Sequence, residues 1–171
     1  MAEMGVSLSS RQLAYCAVFG GLAFLLRAMQ LAIPIGGPFV IDLRGLPGIV
    51  GAALSGPIGG IVIGILAGLP AKIPLIDVPA FSSAYFLVGL LARRLKWLSA
   101  LATIVGYAVA AAISWQMGFF PSFESAFAII LVRALAIIPI QLAILYAIYR
   151  RWPRAFESPG KALRQSGEGG G

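Results

Sequence analysis

Apolar residues fill long runs of this chain, and short breaks of proline, glycine and charge separate them. The first run covers residues 12–33 and ends at Pro34 and the turn Gly36-Gly37-Pro38. A short extended stretch, Phe39-Val40-Ile41, leads to Asp42. Residues 43–69 are apolar again, but Ser55-Gly56-Pro57 interrupts them. That break is either a turn between two short helices or a kink in one. A loop from Pro70 to Pro79 follows. Further runs cover roughly 79–92, 97–118 and 123–149, separated by Arg93-Arg94-Leu95-Lys96 and by Gly118-Phe119-Phe120-Pro121. Crossing a bilayer takes about 20 apolar residues in a helix. The pattern therefore predicts an all-α membrane protein, with a transmembrane domain over residues 11–152. The preceding segment 1–10 is too polar to be the apolar part of a signal peptide, and the run behind it is long enough to be retained as a span. The tail 153–171 is polar and is expected to be disordered.

Composition sharpens this expectation. Of 171 residues, 60% are hydrophobic and 11% charged, against about 25% charged in soluble domains. There is no histidine and one cysteine, Cys16. A Ser-His-Asp or Cys-His relay, an internal disulfide and a Cys/His metal cluster are all excluded. No Walker-type loop is present, so any ATP hydrolysis belongs to a partner. We expect no catalytic residues, metal or cofactor.

Charge sets the topology. The net charge is +7, which in a soluble protein raises the question of nucleic acid. Here the basic residues cluster at the ends of apolar runs, as topology signals and contacts to anionic lipid, and no nucleic-acid partner is expected. Arg93, Arg94, Lys96, Arg150, Arg151 and Arg154 belong inside by the positive-inside rule, with two spans between the groups. Arg11 joins them if residues 43–69 split at Gly56-Pro57, which gives six spans with cytoplasmic N- and C-termini. A single kinked helix gives five spans and puts Arg11 outside. We favour six, a multi-pass protein of the cytoplasmic membrane. Lys161 and Arg164 then lie inside too, while Arg44 and Lys72 lie in outer loops.

Several features are candidates for function. Gly56, Gly60, Gly64 and Gly68 form a small-residue ladder, as do Ala102, Gly106, Ala110 and Ser114. Such ladders let helices approach closely in lipid, so internal packing is their first reading. Ala14, Ala17 and Gly21 share one face of the first span and suit either internal packing or a partner helix. Arg27 and Arg133 lie within spans, where an ionisable side chain costs about 2.5–3.5 kcal/mol on insertion scales. Both are open to lining a hydrated cavity or to pairing with Asp42, Asp77 or Glu124, and Arg27 also to snorkelling outward. Asp42 and Asp77 read as helix caps, and Glu124 as a first-turn carboxylate on the helix dipole. Trp97 and Trp152 fall at inner boundaries, and Trp115, Phe119 and Phe120 near the outer one, as belt anchors. Trp115 and Gln116 are also placed to stack on a flat ligand and hydrogen-bond it.

The run from Phe39 to Gly60 adds a resemblance. It contains Ile41-Asp42-Leu43-Arg44-Gly45-Leu46-Pro47, then a small-residue helix, then Gly56-Pro57-Ile58-Gly59-Gly60. This resembles the substrate-binding S components of energy-coupling factor (ECF) transporters, nearest in pattern to the riboflavin-type members. In outline the likeness extends over residues 11–152. It implies a subunit that captures a vitamin or similar micronutrient from outside, in a pocket in the outer half of a six-helix bundle. It also implies partners: a T component, docked on Ala14, Ala17 and Gly21, and two ABC-type ATPases. Riboflavin-type members tend to carry Glu and Asn near the outer end of the fourth span. This chain reads Pro79-Ala80-Phe81-Ser82-Ser83-Ala84-Tyr85 there, so the likeness does not extend to riboflavin as ligand. The expected substrate-binding set is Arg27, Asp42, Arg44, Lys72, Asp77, Ser82, Tyr85, Trp115, Gln116, Glu124 and Arg133.

Three other classes fit less well. A structural or assembly subunit would use the same ladders and need no pocket. An intramembrane lipid enzyme would need Asp42 or Glu124 as acid or base, without histidine or a carboxylate pair on one helix. A self-contained secondary transporter would be expected to carry an inverted repeat, and none is evident.

Overall fold

A computed structural model describes residues 8–36 and 39–153. Gly37 and Pro38 of the expected turn, most of the N-terminal segment, and the tail with Arg154, Lys161 and Arg164 lie outside the described residues. The protein is mostly helical. Three helical stretches are long and apolar enough to cross a membrane: Gly45–Gly68, Pro74–Gln116 and Phe123–Arg151.

The chain enters its first helix through a capping box. Ser9 Oγ accepts from the Gln12 amide, and the Ser9 amide donates to Gln12 Oε1. Helix α1 (Ser10–Tyr15) passes through a π-helical turn (Cys16–Gly20) into α2 (Gly21–Ala28). The helix stops five residues short of the expected end at 33. Gln30 adopts a left-handed φ of 55°, and the next residues form β1 (Ala32–Gly36). β1 pairs antiparallel with β2 (Phe39–Asp42), Ala32 opposite Asp42 and Ile33 opposite Ile41. The left-handed Gln30 and the pairing of Ala32 and Ile33 with β2 end the helix early, and Pro34 bars its return by pushing Ile33 out of the helical region.

Helix α3 (Gly45–Gly68) is broken at Gly56, whose φ of 80° and ψ of −173° belong to a region that essentially only glycine occupies. The two arms, 45–55 and 57–68, fold back on each other. Arg44 at one end reaches the carbonyl of Ala67 at the other, and Gly51 sits against Ile63. Ser55-Gly56-Pro57 is thus a tight turn rather than a shallow kink. The first helix lies parallel to arm 57–68: Gln12 Nε2 donates to the Ser55 carbonyl, Cys16 faces Gly59, and Gly20 meets Ile63 and Leu66.

Helix α4 (Pro74–Leu95) runs antiparallel to the same arm. The glycine ladder explains how closely they pack. Gly60, Gly64 and Gly68 face the backbone at Tyr85, Ser82 and Val78, and Gly56 faces Gly89. A Cβ at any of the three would run into α4 main chain, which is the packing role the spacing suggests. α4 ends where Lys96 takes a φ of 56°, and a 3-10 segment (Lys96–Ala102) turns the chain into α5 (Thr103–Gln116). Gly106 packs on Ala80 and Ala84, so α5 returns beside α4. Helix α6 (Phe123–Arg151) begins at Ser122, whose hydroxyl accepts from the Ser125 amide. Ile49, Ile63, Ala84, Tyr85, Val88, Ala92 and Leu145 form the centre of the core.

The two carboxylates read as caps need correction. α4 starts at Pro74, so Asp77 lies inside its first turn rather than at the cap. Arg44 occupies the cap position of α3, and Asp42 instead accepts the Arg44 amide from the preceding turn. Proline at N1 and the loop contacts of Asp42 and Asp77 decide both cases. Glu124 does lie in the first turn of α6. At the opposite end of the bundle, Arg93, Arg94, Lys96, Arg150 and Arg151 are exposed together. Trp97 packs edge-on against Tyr146, and Lys96 lies over the Tyr149 ring, joining the α4–α5 turn to the end of α6.

Candidate functional site

A hollow of about 480 Å³ opens at the end of the bundle that carries the β-hairpin and the 70–73 loop. Three helices supply its walls at helical spacing: Ile76, Ala80 and Ala84 from α4, Thr103, Tyr107, Ala110 and Ser114 from α5, and Ile130, Arg133, Ile137 and Gln141 from α6. Arg27, Asp42, Arg44 and Lys72 complete it from the first helix and the loops.

Arg44 organises the loop side. It is 5% exposed. Its Nη1 donates to the Ala67 carbonyl at 2.8 Å and its Nη2 to Asp77 Oδ2 at 2.6 Å. Its Nε lies 2.8 Å from Asp42 Oδ2, close enough for ion pairing but not aligned as a hydrogen bond. The guanidinium also lies 4.2 Å from the centre of the Phe81 ring, a cation–π contact. One cation thus joins β2, both ends of α3 and the start of α4. Asp42 also receives Arg27, with Nη1 to Oδ2 at 3.5 Å, which ties α2 to the hairpin.

The remaining cations differ. Among the described residues no carboxylate lies within ion-pair distance of Arg133 or Lys72. Arg133 is ten residues into α6, about 15 Å along its axis. It lines the hollow and is exposed rather than buried. Four cations against two carboxylates leave the hollow with excess positive charge. Both carboxylates are paired with Arg44.

Seven of the eleven residues expected at a binding site line this hollow: Arg27, Asp42, Arg44, Lys72, Asp77, Tyr85 and Arg133. The other four do not. Ser82 sits at the α3–α4 contact opposite Gly64, with its hydroxyl buried and unpartnered. Trp115 is 45% exposed and packs edge-on against Phe123. Gln116 is exposed at the last turn of α5, and Glu124 is exposed at the first turn of α6. Trp115 and Gln116 miss the hollow because the face of α5 turned inward is that of Thr103, Tyr107, Ala110 and Ser114.

That face also supplies residues the sequence reading passed over. Thr103 and Tyr107 lie beside the Gly106-Ala110-Ser114 ladder, and their spacing to Ser114 was the available signal. Gln141 was visible as a lone amide in an apolar run. It is 2% exposed, its Oε1 accepts from Thr103 Oγ1 at 3.3 Å, and its Nε2 points to the Gly45 carbonyl at 3.5 Å. The second ladder therefore both packs, through Gly106 on α4, and lines the hollow, through Ala110 and Ser114.

The face of Ala14, Ala17 and Gly21 is turned away from the bundle. Ala14 and Ala17 are exposed, and among the described residues nothing lies within 4 Å of where a Gly21 Cβ would stand. Gly20, one position earlier, is the residue that packs internally. No protein-family model, curated protein or solved structure matches the chain.

Proposed function

We propose that this protein is a membrane-embedded capture subunit, of the kind found as the S component of ECF importers. It takes a vitamin-like small molecule into the hollow from outside and delivers it through a T component and two ABC-type ATPases. The observation that carries the proposal is the hollow itself. Aliphatic packing would be the cheapest way to fill a bundle of this composition. Here the space between α4, α5 and α6 stays open and is lined by cations, hydroxyls and an amide. Polar and ionisable groups in a membrane domain face cavities or partners, because lipid does not solvate them.

The fold-back at Gly56 supports counting six helical arms with both termini on the cytoplasmic side. The arms of α3 have 11 and 12 residues, about 17 Å each, which is short of the roughly 30 Å hydrocarbon core. Sidedness survives this, since two antiparallel arms return the chain to the side it came from whether or not their tip crosses fully. The hollow is then external and the basic helix ends are internal. The outward face of Ala14, Ala17 and Gly21 is available to a partner helix, and close approach of small residues is the usual means of such contacts.

Purification in detergent from vitamin-rich medium, followed by mass spectrometry of small molecules released on denaturation, tests the proposal. A stoichiometric small molecule is expected, and it is lost in Ala110→Trp, which fills the hollow. Protein that is folded and empty, and that shows no thermal shift with a vitamin panel, points instead to a structural or assembly subunit.

A further inference from the structure

The chemistry of the occupant follows from how the charges in the hollow are shared out. Arg44 is consumed by Asp42, Asp77 and the Ala67 carbonyl, and Arg27 is turned toward Asp42. Arg133 and Lys72 have no such partner among the described residues, yet both line the same hollow. A guanidinium deep in an apolar helix calls for hydration or a counter-charge. The hollow can hydrate it, but its own helix offers no counter-charge there: its immediate neighbours are Val132 and Ala134, and Ile129, Ile130 and Ile137 lie one turn away. The nearby polar groups of the hollow, Thr103, Tyr107, Ser114 and Gln141, are neutral.

We infer that the occupant is an organic anion, a compact body carrying a carboxylate or phosphate whose negative group is held by Arg133 with Lys72 at the mouth. This deepens the capture reading and rests on it. Guanidinium suits the task, because its planar fork offers two parallel donors to a carboxylate or phosphate. The aliphatic and aromatic walls, Ile76, Phe81, Tyr107 and Ile137, take the uncharged body. The paired Arg27–Asp42–Arg44–Asp77 chain contributes no net charge and forms one wall. An anionic phospholipid headgroup has the same charge chemistry, but the hydroxyl and amide groups of the inner wall suit a soluble acid rather than acyl chains.

The experiment compares acids with their uncharged amides. Wild type, Arg133→Gln, Arg133→Lys and Lys72→Gln, purified in neutral detergent, are titrated with indole-3-acetate, indole-3-acetamide, nicotinate and nicotinamide by thermal shift. In parallel, any co-purified molecule is identified by native mass spectrometry, with and without added phosphatidylglycerol. We expect at least one acid to bind and its amide not to. Arg133→Gln should weaken the acid by about tenfold to a hundredfold, the size of a lost charge-assisted hydrogen bond. Arg133→Lys should recover most of the binding, which also shows that the site tolerates substitution. An amide that binds as well as its acid, or full acid affinity in Arg133→Gln, overturns the inference. If neither probe binds, the co-purified molecule decides: an acid supports the inference, and a neutral, cationic or phospholipid species overturns it while capture stands or falls separately. An empty protein that binds no probe removes the capture reading, and the inference with it.

Discussion

Arg44 Nη1 donates to the carbonyl of Ala67 at 2.8 Å, across 23 positions of chain. That bond closes the open end of the α3 hairpin. The same guanidinium holds Asp77 and Asp42, so the loop side of the hollow is built around one side chain. Removing Arg44 leaves Asp77 and the Ala67 carbonyl without their partner, and leaves Asp42 with Arg27 alone as cation.

Arg44→Leu should therefore destabilise the fold by about 3 kcal/mol. Loss of one partner of a buried pair costs about 3–5 kcal/mol, reduced here because Asp42 and Asp77 are partly exposed. Unfolding in mixed micelles measures it. Arg44→Lys should cost nearly as much, because an ammonium cannot reach Ala67, Asp77 and Asp42 together. A change under 1 kcal/mol in both would contradict the keystone role.

Glycines of the first and third helical runs should respond oppositely to the same methyl group. Gly64→Ala forces the α3 arm off α4, since its Cβ meets the Ser82 backbone, and overpacking of this kind costs about 1–3 kcal/mol. Gly21→Ala meets nothing among the described residues and should raise stability slightly, by about 0.5–1 kcal/mol, as alanine is the better helix former. If Gly21→Ala nevertheless abolishes uptake in cells, its face contacts a partner.

Gly56→Ala should cost about 1–3 kcal/mol for the backbone conformation alone, because φ 80° with ψ −173° is closed to residues with a Cβ. Pro57→Ala should cost less. Equal tolerance of both would mean that 45–68 is one continuous helix.

Sidedness is testable with a membrane-impermeant thiol reagent. The native Cys16 is 2% exposed, so background labelling is low, and Cys16→Ser removes it. In that background Arg11→Cys and Lys96→Cys should label from the cytoplasmic side and Lys72→Cys from outside. Arg11→Cys labelling on the same side as Lys72→Cys would fit five spans.

Much of the fold was legible from local signals. Runs of apolar residues mark the helices, and Gly56-Pro57 marks a break. The glycine ladder marks a close helix contact. Helix ends were less legible. The first helix yields to a strand at Ala32, and α4 starts at Pro74 rather than near Pro79, because pairing in the β-hairpin and a proline-initiated first turn outweigh hydropathy. At the hollow, residue type singled out Arg27 and Arg133, since a cation in an apolar segment needs a reason, while Arg44 was legible only as an outer-loop cation. It misled for Trp115 and Gln116. Their chemistry suits a ligand, but the rotation of α5 turns Tyr107 and Ser114 inward in their place.

The sequence by itself determined that this is a helical, membrane-compatible chain without the side chains for common catalytic relays, because composition and hydropathy act residue by residue. Only the tertiary structure decided that the break at Gly56 is a fold-back, that Asp42 and Asp77 share Arg44, and that Arg133 lines the hollow with no carboxylate at ion-pair distance among the described residues. Those facts depend on which helix faces meet across distant parts of the chain: a glycine ladder marks a close contact, but its partner and the rotation of each helix are set by packing between segments that no local pattern encodes.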